Sequence, residues 1–187
     1  IESLGKLHVH GVTMMPGKPL MFGTISEKPV FGIPAYPVSA IVAFEQFAGP
    51  LLLKMQRLHP LQKEIISVIP ARKIASRLGQ EEFLRIKVGS VDDRLIGSQL
   101  PRGAGNITTL TEADAVIRIP KNSEGIEENQ PIFATLLRPL SAIENTIVII
   151  GSHDNTLDVL ADQIRKINGT ISISSSHVGS MGGLTGI

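Results

Sequence analysis

Between residues 15 and 39 lie two short stretches whose residue types could hold an anion: Met15-Pro16-Gly17-Lys18-Pro19 and Gly32-Ile33-Pro34-Ala35-Tyr36-Pro37-Val38-Ser39. In the first, two prolines and a glycine make a rigid turn that presents one lysine, a mobile point charge suited to phosphate. The second reads as a strand-to-helix turn, and the free N–H groups at a helix start can take an anion. Together they point to a site for a phosphorylated small molecule. Spacing alone also fits two structural turns and a surface lysine, and short motifs misfire often enough to favour that plainer reading.

A second polar concentration is Ser152-His153-Asp154-Asn155 with Ser174-Ser175-Ser176-His177, each at the end of an expected strand. In open parallel sheets ligands bind beyond the carboxyl ends of the strands. Ser152, Ser175, Ser176, Gly179 and Ser180 would there suit an oxyanion. Helix caps and turns explain the same residues equally well. His153 and His177 have no obvious third ligand, so no metal site is expected. His8 and His10 alternate on an expected strand and should face one side, packed or in solvent.

The elements that must position these groups fall into three segments. In residues 1–60, short strands over 7–14, 20–22 and 30–33 precede an amphipathic helix, giving α/β layering. The helix has apolar residues at Ala40, Ile41, Phe44, Phe47, Ala48, Leu51, Leu52, Met55 and Leu58, spaced by threes and fours. Pro37 suits its first turn, and Pro50 should kink it or end its first half. Residues 61–140 read as a small, mainly β, barrel-like domain. Its β-branched runs at 65–69, 83–88, 115–119 and 132–137 are separated by turns such as Asp92-Asp93 and Pro101-Arg102-Gly103. Glu81-Glu82 and Lys63-Glu64 read as solvated surface charges. Residues 141–187 begin a βαβ unit: a buried parallel-type strand at 146–150, a helix capped by Asn155, a stop at Gly169 and a strand at 171–174.

Composition excludes several functions. The chain has 187 residues, 42% hydrophobic, with 18 basic and 17 acidic side chains, so no global field drives nucleic-acid binding. Seven aromatics (six Phe and one Tyr) offer no stacking platform for single strands. With no cysteine, disulfides and thiolate metal sites are absent, which fits a reducing, cytoplasmic setting. No apolar run reaches the roughly 20 residues of a membrane span. The chain starts at Ile1 without Met and stops just after Gly182-Gly183-Leu184-Thr185-Gly186, so both ends are expected to be cut.

The order His-Gly-Val (10–12), Pro-Gly-Lys-Pro (16–19), Gly-Ile-Pro (32–34) and Pro-Val-Ser (37–39) resembles the molybdopterin molybdenumtransferase (MoeA) family, which includes the gephyrin E domain. Phe83-Leu84-Arg85, Gly103-Ala104-Gly105-Asn106-Ile107-Thr108-Thr109-Leu110 and Ala113-Asp114-Ala115 continue the resemblance over about 135 residues. The resemblance implies an enzyme of molybdenum cofactor biosynthesis. It takes adenylylated molybdopterin and molybdate as substrates, releases AMP, uses Mg2+ and has its active site at a homodimer interface. By the same resemblance Lys18 and Ser39 would be catalytic, and Pro16, Gly17, Pro19, Gly32, Pro34 and Pro37 would bind the pterin. Arg85, Gly103, Thr108 and Thr109 would join them from the partner's β domain. Residues 153–158 and 175–183 resemble a periplasmic-binding-protein-like module, whose ligand would be molybdate or tungstate. A scaffold that binds oxyanion without catalysis is the competing reading.

This sequence departs from the family pattern at Met15 (usually basic), Ala35-Tyr36 (usually Gly-Asn) and Ala104 (usually Ser). These losses imply altered or weakened catalysis. The family's Gly-Gly-x-Ser-x-Gly stretch and its acidic Mg2+ ligands would lie before Ile1, so this chain alone is not expected to turn over.

Overall fold

The computed structural model describes residues 1–91, 94–177 and 179–185, without the side chains at 176, 177, 182 and 185. The expected Asp92-Asp93 turn lies outside the described residues, as does the side chain of Ser176.

The chain opens with an antiparallel sheet of β1 (Lys6–His10), β3 (Met21–Ile25) and β4 (Lys28–Gly32). β3 and β4 turn on Ser26 and Glu27, both at positive φ (48° and 63°), the twist a two-residue hairpin needs. The pairing register of β1 slips between Leu7 and Val9. That bulge overturns the expectation that His8 and His10 share a side. His8 lies against Phe22 (ring centroids 5.6 Å apart) and Thr24, whereas His10 pairs with Met21 on the other face.

β4 feeds a helix that runs from α1 (Pro37–Ala43) to α2 (Gly49–Met55) through a π-turn at Phe44–Ala48. Pro50 thus does not end the helix. It lacks an N–H for the preceding turn, and the ladder shifts so that Gly49 N–H bonds Phe44 O, a five-residue step. The buried face is Val38, Ser39, Val42 and Ala43. Much of the stripe picked out by periodicity is instead exposed, with Ile41, Phe44, Phe47, Leu52 and Met55 uncovered in this chain. By length and composition alone, Pro37–Met55 is apolar enough to cross a membrane, correcting the expectation that no stretch approaches a span.

The second segment is a closed barrel. β7 (Glu81–Val91), β8 (Arg94–Gln99), β5 (Ile65–Pro70), β11 (Ile132–Leu136) and β9 (Ala115–Ile119) pair in that order, and β9 returns to β7. Closure leaves no free edge in the ring. Val68, Ile86, Val88, Ile117 and Ile119 are wholly buried inside it; the short α3 (Thr108–Glu112) precedes β9, and Ile143 of α4 (Leu140–Glu144) joins the same core. Each such side chain contributes roughly 1.5–3 kcal/mol by burial. Gly97 permits the tight interior: a Cβ there would lie 3.1 Å from Ile86 Cδ1. A two-stranded ribbon of β6 (Ile74–Ala75) and β10 (Gly125–Ile126) flanks the barrel.

β7 is shared between two cores. Leu84, Ile86 and Val88 point into the barrel, while Phe83 joins Met14, Leu20, Val42 and Ala43 of the first segment. The short β2 (Met14–Met15) pairs in parallel with Glu81 and Glu82 of the same strand.

The third segment follows α4. β12 (Thr146–Gly151) and β13 (Ser172–His177) pair in parallel around α5 (Asn155–Ile167), with α6 (Gly179–Thr185) after them. The helix cap is Asp154 rather than Asn155: its Oδ1 accepts the Thr156 N–H at 2.7 Å. α5 ends at Ile167 with Asn168 as its C-cap, directly before the expected stop at Gly169. β12 is only half-buried, with Ile147 47% exposed, so it does not form the interior of a parallel sheet within this chain.

Candidate functional site

The Lys18 turn reaches the helix because Gly17, at φ +114°, is a glycine; a Cβ there would lie 2.4 Å from Met14 Cε and 3.6 Å from Ser39 O. Pro16, Gly17, Lys18 and Pro19 thereby form one side of a cleft of about 440 Å3, beside Pro34, Tyr36 and Ser39 of the corner. The outer face of β7 and the segment after β8 form the other side, through Phe83, Arg85, Arg102, Gly103, Ala104 and Thr109. A backbone bond from Val38 N–H to Ala104 O (3.0 Å) ties the two sides at the helix start.

Both sides come from one chain. The resemblance placed Arg85 and the Gly103–Thr109 loop on a partner subunit; within this chain Arg85 on β7 and Gly103, Ala104 and Thr109 of the segment after β8 already line the cleft. Gly32, Pro37 and Thr108 do not line the cleft. Gly32 instead packs under Met21, Pro37 takes the first turn of α1, and Thr108 donates to Asn106 Oδ1 at 2.7 Å.

Arg85 is 8% exposed, and its Nε donates to Thr109 Oγ1 at 3.3 Å; Thr109 Oγ1 in turn donates to Asn106 O. Among the described residues no carboxylate lies within ion-pair distance of its guanidinium. Burial pushes its pKa down from the usual value, with Glu45 partly opposing. A cation held out of water without a counter-ion is a strong recruiter of an anion.

Arg102 is already paired. Its Nε donates to Glu82 Oε1 at 2.6 Å and Nη2 to Ala75 O at 2.6 Å, while Ser76 Oγ donates to Glu82 Oε2 at 2.7 Å. Glu82 is 5% exposed, so it is no solvated surface charge. Sequence reading missed it because Glu81-Glu82 has the composition of an exposed turn. The signal was positional: in a strand alternating Glu82, Leu84, Ile86 and Val88, the first member shares the inner face. Glu81 does sit nearer solvent, paired with Arg118 Nε at 2.6 Å.

Glu82 is the one carboxylate among the described residues that line the cleft, and Arg102 and Ser76 engage it. The cleft as built does not fit a divalent cation, and no base stands ready for Ser39 among these lining residues. What the arrangement can do is bind and orient an anion through Arg85 and Lys18.

In the third segment, Ser152 Oγ and Ser180 Oγ lie 2.7 Å apart, hydrogen-bonded to each other. Ser175 is half-buried on β13, and Gly179 (φ +76°) starts α6. Gly183 lets α6 approach the end of β12, since a Cβ would sit 2.8 Å from Ile150 O. The carboxylate of Asp154 occupies the start of α5, and the hydrogen bonds from Thr156 hold its pKa below the usual value.

Residues 67–137 match the model of the MoeA C-terminal region (domain IV). A Methanocaldococcus jannaschii protein whose name places it in molybdopterin biosynthesis is 36% identical over 138 residues, which are 74% of this chain and 32% of that protein. Molybdopterin molybdenumtransferase 1 of Mycobacterium tuberculosis is 30% identical over 148 residues, 73% of this chain and 34% of its own. Among solved structures, a molybdopterin biosynthesis MoeA protein from Pyrococcus horikoshii OT3 superposes with a TM-score of 0.59 at 29% identity, covering 73% of this chain and 33% of that one. The chain thus spans about a third of the length of these relatives. The family match, the relatives and the solved structure agree, and this chain belongs to the MoeA family, as a C-terminal portion of it.

Proposed function

We propose that the cleft between the Lys18 turn and β7 holds the phosphate-bearing end of adenylylated molybdopterin, in molybdenum cofactor biosynthesis. The step served is molybdate insertion with release of AMP, by a longer cytoplasmic protein. The observation that carries this reading is Arg85, buried, aimed into the cleft and without a carboxylate partner among the described residues. A phosphate supplies the missing negative charge, and Lys18 adds a second, mobile cation.

The chain's own residues would bind and orient; Mg2+ assisting the transfer would need ligands from elsewhere in the longer protein, and this chain alone should not turn over. The exposed Ile41, Phe44, Phe47, Leu52 and Met55 supply an apolar surface that a homodimer would cover, which supports the expected dimeric state. Met15, Ala35, Tyr36 and Ala104 imply altered catalysis in that setting.

Calorimetric titration of AMP into this chain tests the reading. Binding should weaken at least tenfold in Arg85→Ala and more modestly in Lys18→Ala; unchanged AMP affinity in Arg85→Ala would remove its basis.

Oxyanion binding by the third segment is the second reading, favoured by the Ser152–Ser180 hydroxyl pair. Asp154 opposes it by placing a negative charge at the α5 start. Titrating molybdate, tungstate and sulfate should give no heat that Ser152→Ala abolishes; a molybdate signal lost in that variant would restore it.

A further inference from the structure

The Gly-Asn usual in the family is replaced here by Ala35-Tyr36, which puts the chain's one tyrosine on the cleft wall. Tyr36 is 64% exposed. The backbone that carries it is fixed on its C-terminal side. Tyr36 caps α1 at φ −71°, ψ 130°, its carbonyl accepts Ala40 N–H at 2.9 Å, and two residues on, Val38 N–H bonds Ala104 O. The ring passes alongside Gly105: a Cβ there would touch Tyr36 Cδ1 at 3.5 Å and Cε1 at 3.9 Å. Phe83, the other ring lining the cleft, is 9% exposed and packed in the core, so Tyr36 is the aromatic surface offered to a ligand.

We propose that Tyr36 is a ring platform: it stacks the fused nitrogen heterocycle of a ligand whose phosphate lies at Arg85 and Lys18. This rests on the phosphate site proposed above and adds which part of the ligand Tyr36 selects. A tyrosine has two side-chain torsions to fix, so a pre-anchored ring stacks at low entropic cost. The same position filled by Gly-Asn has no such surface, so this chain discriminates ring-bearing phosphate esters from ringless ones.

AMP and ribose 5-phosphate share a phosphate and a sugar and differ in the fused ring, so calorimetric titration of both into this chain isolates the platform. AMP should bind roughly two- to twelvefold tighter than ribose 5-phosphate, the range expected for one aromatic pair. Tyr36→Ala should remove that advantage and leave ribose 5-phosphate unchanged; Tyr36→Phe should keep it. Tighter AMP binding in Tyr36→Ala would make the ring a plug and overturn the platform, as would equal weakening of both ligands. If both bind in an Arg85-dependent way and AMP is insensitive to Tyr36, the platform alone fails. If neither binds, the phosphate site fails with it.

Discussion

The barrel and the third segment are built from similar residues, yet one is closed and the other is open. The barrel's five strands return on themselves around Val68, Ile86, Val88, Ile117 and Ile119, all with no exposure. The third segment has two paired strands and a helix in which no residue is buried. Val159 and Ile167 are 60% and 85% exposed. Closure determines where a chain can hold a charge out of water. Arg85 stands on a strand of the closed ring, paired with β9 at Val116 and 8% exposed, whereas Asp154 and Ser152 stand at an end open to solvent. The same contrast favours the cleft over the third segment as the working site.

The largest test of that contrast is Asp114, fully buried, which accepts Val88 N–H at 2.8 Å and pairs with Lys87 and Arg138. Asp114→Ala strands those partners and should cost roughly 3–5 kcal/mol in urea unfolding. A loss under about 1 kcal/mol, the value of a solvent-screened pair, would mean the barrel wall is wetter than its burial implies. Next, Ile117→Ala should cost roughly 2–5 kcal/mol, while Leu160→Ala on α5 should stay within about 0.5 kcal/mol. Equal losses would erase the distinction between the two regions.

A smaller effect concerns how they join. A Cβ at Gly89 would lie 2.4 Å from Val148 Cγ2, so Gly89→Val should push β12 off the barrel. Faster hydrogen exchange is then expected in β12 and β13, with β7 and β9 protected as before. The smallest is a pH effect on α5. The folded pKa of Asp154 is depressed by its bonds to Thr156, so the stabilisation is present above the unfolded value and lost as pH falls through the folded one. Amide exchange at the start of α5, corrected for its intrinsic pH dependence, should therefore accelerate as Asp154 protonates, and Asp154→Ala should abolish that step.

Much of the barrel was legible because its strands are β-branched and short: β9 begins and ends as read, and β5 and β11 fall within a residue. β8 was missed since Arg94-Leu95-Ile96-Gly97-Ser98-Gln99 lacks alternation and carries a glycine needed for close packing. The β3–β4 hairpin was blurred because Ser26-Glu27 takes left-handed angles without the Asn-Gly or Asp-Gly signature. The helix existed as expected, but its buried face did not follow the strongest stripe, because periodicity cannot say which of two apolar faces a neighbour covers. In the cleft, local motifs revealed Lys18 and the corner, and the resemblance supplied Arg85. The Glu82–Arg102 pair joins residues 20 apart, brought together by the antiparallel pairing of β7 with β8, a strand the sequence did not reveal.

The central claim is that Arg85 waits for a phosphate, and the NMR signal of its own Nε–H reports on that directly during titration with AMP. The expected result is a saturable shift of the Arg85 resonance that follows the calorimetric affinity. A resonance that stays in place while AMP saturates the protein elsewhere would contradict it.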